Sequence, residues 1–89
     1  MEQYRQVLND LDDILRAKQE AYGDSFSETF AEFGLVSAIT RITDKTNRLK
    51  NLWKAYELND ESVRDTLLDL AGYAILTLAE LDKTASTYE

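Results

Sequence analysis

The sequence predicts an all-α protein: three main antiparallel helices plus a short helix, in a bundle completed by oligomerisation. Three observations carry that expectation. Proline is absent and glycine occurs three times in 89 residues, so little in the chain interrupts a helix. Apolar residues recur at intervals of three and four, with no strand-like alternation. A chain this short buries only about 60–65% of its unfolded surface. With no cysteine it has no disulfide to compensate, which leaves partner chains as the stabiliser. One domain over residues 1–89 is expected.

The first helix is expected from about Glu2 to Tyr22, with Tyr4, Val7, Leu8, Leu11, Ile14, Leu15 and Ala21 as its apolar positions. Gly23 suits the left-handed residue that ends a helix. Ser25 and Glu28 have capping-box spacing. They predict a short helix from about Phe26 to Phe33, with Phe26, Phe30 and Phe33 on one face. Gly34 permits a bend. The third helix is expected over Leu35 to Glu57. There Leu35, Ile39, Ile42, Thr46, Leu49, Trp53 and Tyr56 step by four and three as a bundle seam does, so Trp53 and Tyr56 read as core. "LNDES" breaks the pattern, and Asn59 or Asp60 caps a last helix that runs to about Lys83.

In that last helix Val63, Leu67, Leu70, Ala74, Leu78 and Leu81 form one stripe, expected to face the chain's own helices. Leu68, Ile75, Leu76 and Ala79 lie on the far side. A helix apolar on both sides is buried on both sides, so the far side is assigned to a second copy. Ala71, Gly72 and Ala74 are small enough to admit another backbone. Glu61, Asp65 and Asp69 also follow one another by single turns on that side. If their ridge is partly buried, each charge needs a cation or donors. Asp44, Lys45 and Arg48 of the preceding helix are the local candidates for an ion-pair network, and magnesium is the other.

Composition excludes several chemistries. Cysteine and histidine are both absent, so thiolate or imidazole metal sites and Ser-His triads are ruled out. A metal would be held by oxygen, as magnesium or manganese is. No signal peptide or membrane span is expected, which gives a cytoplasmic protein. The net charge of −7 disfavours general DNA binding. Yet Arg41, Lys45, Arg48, Lys50 and Lys54 fall in one fourteen-residue segment with a single acid, Asp44, so that segment is +4 and the rest of the chain −11. The segment reads either as a solvated helix face or as a local anion site.

"YGDSFSETFAEFGLVSAITRITDKTNRLKNL" followed by "NDESVRDTLLDLAGYAIL" resembles the nucleotide modification associated domain family of small phage and bacterial proteins. The resemblance spans Tyr4 to Leu81 and is carried by "YGDS", "DKTNRLKNL" and "DESVRDTLLDLAGYA". The chain also resembles, more distantly, the MazG-like all-α nucleoside triphosphate pyrophosphatases. Those hold magnesium with an E-x-x-E pair on one helix and an E-x-x-D pair on the next. Glu32 corresponds to the first glutamate and Asp69 to the final aspartate. Leu35 and Thr66 stand at the other two positions, and Asp65 comes one residue early. The resemblance therefore implies nucleotide binding more readily than cleavage.

The expected ligand site comprises Tyr22, Gly23, Asp24, Arg41, Asp44, Lys45 and Arg48. Tyr22 would stack on a base, Gly23 would let the ligand approach the backbone, and the basic residues would meet phosphates. No catalytic residue is assigned. If a metal binds, Glu32, Glu61, Asp65 and Asp69 are its ligands. Binding itself is expected to require no cofactor, with magnesium as the option. Three functions compete. One is a phage-type sponge that captures a nucleotide or nucleotide-derived immune signal without turnover. The others are a magnesium-dependent nucleotide pyrophosphatase and a helical protein-interaction module.

Overall fold

The computed structural model describes residues 2–53 and 61–88, with side chains through residue 84. Its described residues form four helices and no strand: α1 Glu2–Tyr22, α2 Ser25–Phe33, α3 Leu35–Trp53 and α4 Glu61–Tyr88. The all-α expectation holds. The first helix has the expected bounds, and α4 continues five residues past Lys83. Tyr56, Asn59 and Asp60 lie outside the described residues.

Two glycines set the chain's turns. Gly23 has φ of 60° and its N–H donates to the Gln19 carbonyl at 2.8 Å, closing α1 in the left-handed conformation. Gly34 has φ of 76° and donates to the Phe30 carbonyl at 2.7 Å. Its own carbonyl accepts from the Ser37 hydroxyl at 2.8 Å, which ties the start of α3 to the turn. The capping box is not formed. Asp24 is the N-cap of α2, it makes no side-chain cap bond, and Ser25 is already helical. Asp24 instead accepts from the Gln19 side chain at 3.1 Å. The three phenylalanines also divide: Phe26 and Phe30 stack at 6.3 Å, while Phe33 is exposed.

The register between α3 and α4 is antiparallel and rests on polar pairs. Arg41 lies over the Tyr73 ring, Lys45 pairs with Asp69, and Arg48 donates to Thr66. Steps of four and three up α3 match steps of four and three down α4. The inward face of α3 is therefore centred on Ala38, Ile42, Lys45, Leu49 and Leu52, not on the expected seam. Ile42 and Leu49 are common to both. Leu35 and Ile39 are about half exposed, and Trp53 is 72% exposed, so Trp53 is not core. The pattern misleads because Lys45 occupies a seam position. The carboxylate opposite draws it inward.

The two faces of α4 are redrawn in part: Val63 and Leu70 are half-buried and Ile75 and Ala79 exposed, as expected, while other positions change sides. Its inner side is Thr66, Leu68, Asp69, Gly72, Tyr73, Leu76 and Thr77, whereas Leu67, Ala74, Ile75, Leu78 and Leu81 are exposed. Leu68 and Leu76, expected to meet a second copy, pack within the chain. The buried threonines are satisfied locally: Thr66 donates to the Ser62 carbonyl at 2.7 Å and Thr77 to the Tyr73 carbonyl at 2.6 Å. Gly72 is buried against α1, with room for an ordinary side-chain contact. A Cβ there would lie 3.4 Å from Leu15 Cδ2 and 3.8 Å from Leu11 Cδ1, so α1 rests on α4 at this point.

α1 packs against the first half of α4: Asp10 accepts from Arg64 at 2.7 Å, and Lys18 reaches Asp69 five residues further along α4. The Ser27 hydroxyl donates to Glu80, which also accepts from Lys83, and this fastens α2 to α4. The apolar core is thin. Leu11, Ala38 and Leu68 are the buried hydrophobic residues among those described.

Candidate functional site

All four helices meet at Tyr73. Phe26 of α2 packs against its ring with centroids 6.1 Å apart. Lys18 Nζ from α1 lies 5.8 Å from the ring centroid, and the Arg41 guanidinium from α3 lies 6.0 Å from it. An aromatic face carries negative potential, so one ring gathers two cations from different helices.

One turn earlier on α4, Asp69 accepts from Lys18 at 3.1 Å on Oδ1 and pairs with Lys45 at 3.2 Å on Oδ2. Partial burial pushes its carboxyl up. The hydrogen bonds from Lys18 and then Lys45 more than offset that, so it titrates below the usual carboxylate range. Asp69 is thus a shared counter-charge that holds α1 and α3 against α4.

A cleft of about 460 Å³ opens beside this cluster. Its cations are Lys18 and Arg41, and its rings are Tyr22, Phe26 and Tyr73. Gln19, Ser25, Thr29 and Ser37 supply polar groups, Leu15 and Leu76 apolar contact, and Gly23 an open stretch of backbone. Nothing lies within 4 Å of the place a Cβ on Gly23 would take. Among the described residues the wall contains no carboxylate, on a chain with 17 acids and 10 bases.

The expected ligand residues are only partly gathered there. Tyr22, Gly23 and Arg41 line the cleft. Asp24 and the exposed Asp44 do not. Lys45 is spent on Asp69, and Arg48 Nε donates to the Thr66 hydroxyl at 3.1 Å. The basic strip of α3 thus divides its work between the helix interface and the cleft. Glu32, Glu61 and Asp65 are exposed. Among the described residues no three carboxylates come together as a metal site. Leu35 has no ligating side-chain atom, and the buried Thr66 hydroxyl is taken up by the Ser62 carbonyl and Arg48, so neither adds a ligand.

Sequence reasoning missed Lys18, Gln19, Phe26, Thr29, Ser37 and Tyr73 as site residues. One signal was present. Lys18 continues the Leu11, Ile14 and Leu15 stripe of α1 by a further turn, and a lysine on an apolar stripe calls for a partner.

What the wall can do is bind. Two cations suit an anion, and the exposed ring of Tyr22, at 70%, suits a flat group. The family model described as nucleotide modification associated domain 1 matches residues 18–81. The chain belongs to that family. The family match begins at Lys18, not at Tyr4, and it takes in every described cleft residue except Leu15. No curated protein and no solved structure matches the chain.

Proposed function

We propose that this protein binds a nucleotide or nucleotide-derived molecule in the cleft among its four helices and holds it without turnover. The observation that carries the reading is the composition of the wall: among the described residues it has two cations, three aromatic rings and no carboxylate. On a chain of net charge −7, a wall without acids favours an anionic ligand. Membership of the nucleotide modification associated domain 1 family supports a nucleotide as that anion. The base stacks on Tyr22 and the phosphates meet Lys18 and Arg41. A binder of this size suits the role of a sponge for a nucleotide signal in the cytoplasm of a phage-infected cell.

A magnesium-dependent pyrophosphatase would draw on Glu32, Glu61, Asp65 and Asp69. Each oxygen of Asp69 already faces a lysine ammonium, so a metal ion there would have to displace two cations. Capture is therefore the better reading. No helix among the described residues is long and apolar enough to cross a membrane.

A homo-oligomer is part of the same proposal. Leu67, Ile75, Leu78 and Leu81 on the outer face of α4 are the surface assigned to the second copy.

The test is incubation with a panel of linear and cyclic nucleotides, with magnesium and with EDTA, followed by mass spectrometry before and after denaturation. Release of an intact nucleotide on denaturation is expected. Appearance of cleavage products before denaturation would overturn capture, and failure of every nucleotide to bind would overturn the site.

A further inference from the structure

Resting on the nucleotide reading, we propose that the cleft selects ligands with two phosphate charges over a triphosphate, and that Lys45 sets this by keeping Asp69 neutralised when Lys18 turns to the ligand. Among the described residues the wall holds two cations, Lys18 and Arg41, and no acid. Arg41 lies by Tyr73 and is exposed. Lys18 is shared: its ammonium lies 3.1 Å from Asp69 and also 5.8 Å from the Tyr73 ring, within the cleft wall.

A phosphate entering the cleft competes with Asp69 for Lys18. If Asp69 had no other partner, losing Lys18 would leave a half-buried carboxylate uncompensated. It has one. Lys45 lies 3.2 Å from its second oxygen, and Lys45 does not line the cleft. Lys45 can therefore retain Asp69 while Lys18 is given up to the ligand. With that exchange, Lys18 and Arg41 supply two positive charges to the ligand. A phosphate monoester carries about 1.5–2 negative charges at neutral pH, and a cyclic dinucleotide carries one on each of its two phosphodiesters. Both match. A triphosphate adds charges that meet no further cation among the described residues of the wall, on a protein that is already acidic.

Lys45 is thus a positioning residue that touches no ligand. Its test is titration calorimetry in EDTA with nucleoside monophosphates, cyclic dinucleotides and nucleoside triphosphates of each base. Wild type, Lys45→Met and Lys45→Arg are compared, with helicity checked by circular dichroism. Wild type is expected to bind the monophosphate or the cyclic dinucleotide at least about tenfold more tightly than the triphosphate of the same base. Lys45→Met should lose about tenfold in affinity and Lys45→Arg should restore most of it. The stronger of the two dianions names the source of the charge pair. Tighter binding of the triphosphate in EDTA overturns the charge match while leaving the nucleotide site standing. Undiminished affinity in Lys45→Met overturns the role of Lys45. If Lys45→Met loses its helicity, Asp69→Asn decides: freeing Lys18 should tighten binding of the dianion, and weaker binding overturns the exchange. No binding of any nucleotide removes the site and this inference together.

Discussion

Replacing Asp69 with Asn keeps the side-chain volume and removes the charge that three helices share. Lys18 from α1 and Lys45 from α3 would then face each other with no carboxylate between them. The side chains of Asp69, Lys45 and Lys18 are 30%, 28% and 42% exposed, so the cluster is neither a surface pair nor a buried one. Exposed pairs contribute about 0.2–1 kcal/mol, and breaking a fully buried pair costs about 3–5 kcal/mol. An intermediate loss of about 2 kcal/mol follows, weighted down by the exposure of Lys18. For a chain of this length that lowers the melting temperature by about 8–16 °C. Urea unfolding followed by circular dichroism measures it, at one fixed protein concentration because association would otherwise enter the result. The pH dependence supplies a second check. The folded-state pKa of Asp69 is depressed, so its stabilisation is fully present above the unfolded value of about 3.9 and is lost as pH falls through the lower folded value. The gap between wild type and Asp69→Asn should be constant from neutral pH to about 4 and close below it. A gap under about 0.5 kcal/mol at pH 7, the size of an ordinary surface change, or one that persists unchanged in acid, would refute the role given to Asp69.

Three further outcomes are expected. Gly72→Ala should raise stability by about 0.5–1 kcal/mol, because the added Cβ meets Leu15 at 3.4 Å, an ordinary contact; a lowered melting temperature would mean α1 sits too close to yield. Gly23→Ala should cost about 1–2 kcal/mol through its left-handed backbone alone, since nothing lies within 4 Å of the new Cβ; unchanged urea midpoints would contradict that conformation. Leu78→Glu should lower the mass measured by light scattering, because Leu78 is 59% exposed on the outer face of α4; a monomeric mass for the unmutated protein at micromolar concentration would dismiss the second copy.

Helix number and the bounds of α1 were legible in the sequence because three-four spacing and Gly23 depend on local backbone physics. Facing was less legible. Counting leucines put Leu67, Leu78 and Leu81 inside, yet the inner side of α4 is built from threonine, aspartate, glycine and tyrosine that match groups on other helices. Such matches are non-local and leave no mark on the hydrophobic period. Lys45 sits on the inward face of α3 for the same reason, and Trp53 lies outside it. The site was half visible. Tyr22 and Arg41 could be reached from ring and charge arguments, whereas Lys18 acquires its meaning only when α1 lies beside Asp69 and Tyr73. The carboxylate of Asp69, set between Leu68 and Leu70, has the same explanation, since it faces two lysines brought from distant parts of the chain.

The most direct test of the central claim is calorimetric titration in EDTA of wild type and of a Lys18→Met/Arg41→Met double variant with a panel of nucleotides. The wild-type protein should bind at least one nucleotide, and the double variant, still helical by circular dichroism, should lose at least about a hundredfold in affinity, or 2.8 kcal/mol at about 1.4 kcal/mol per tenfold step. Equal affinity of the two proteins, or no binding by the wild type, would contradict the account.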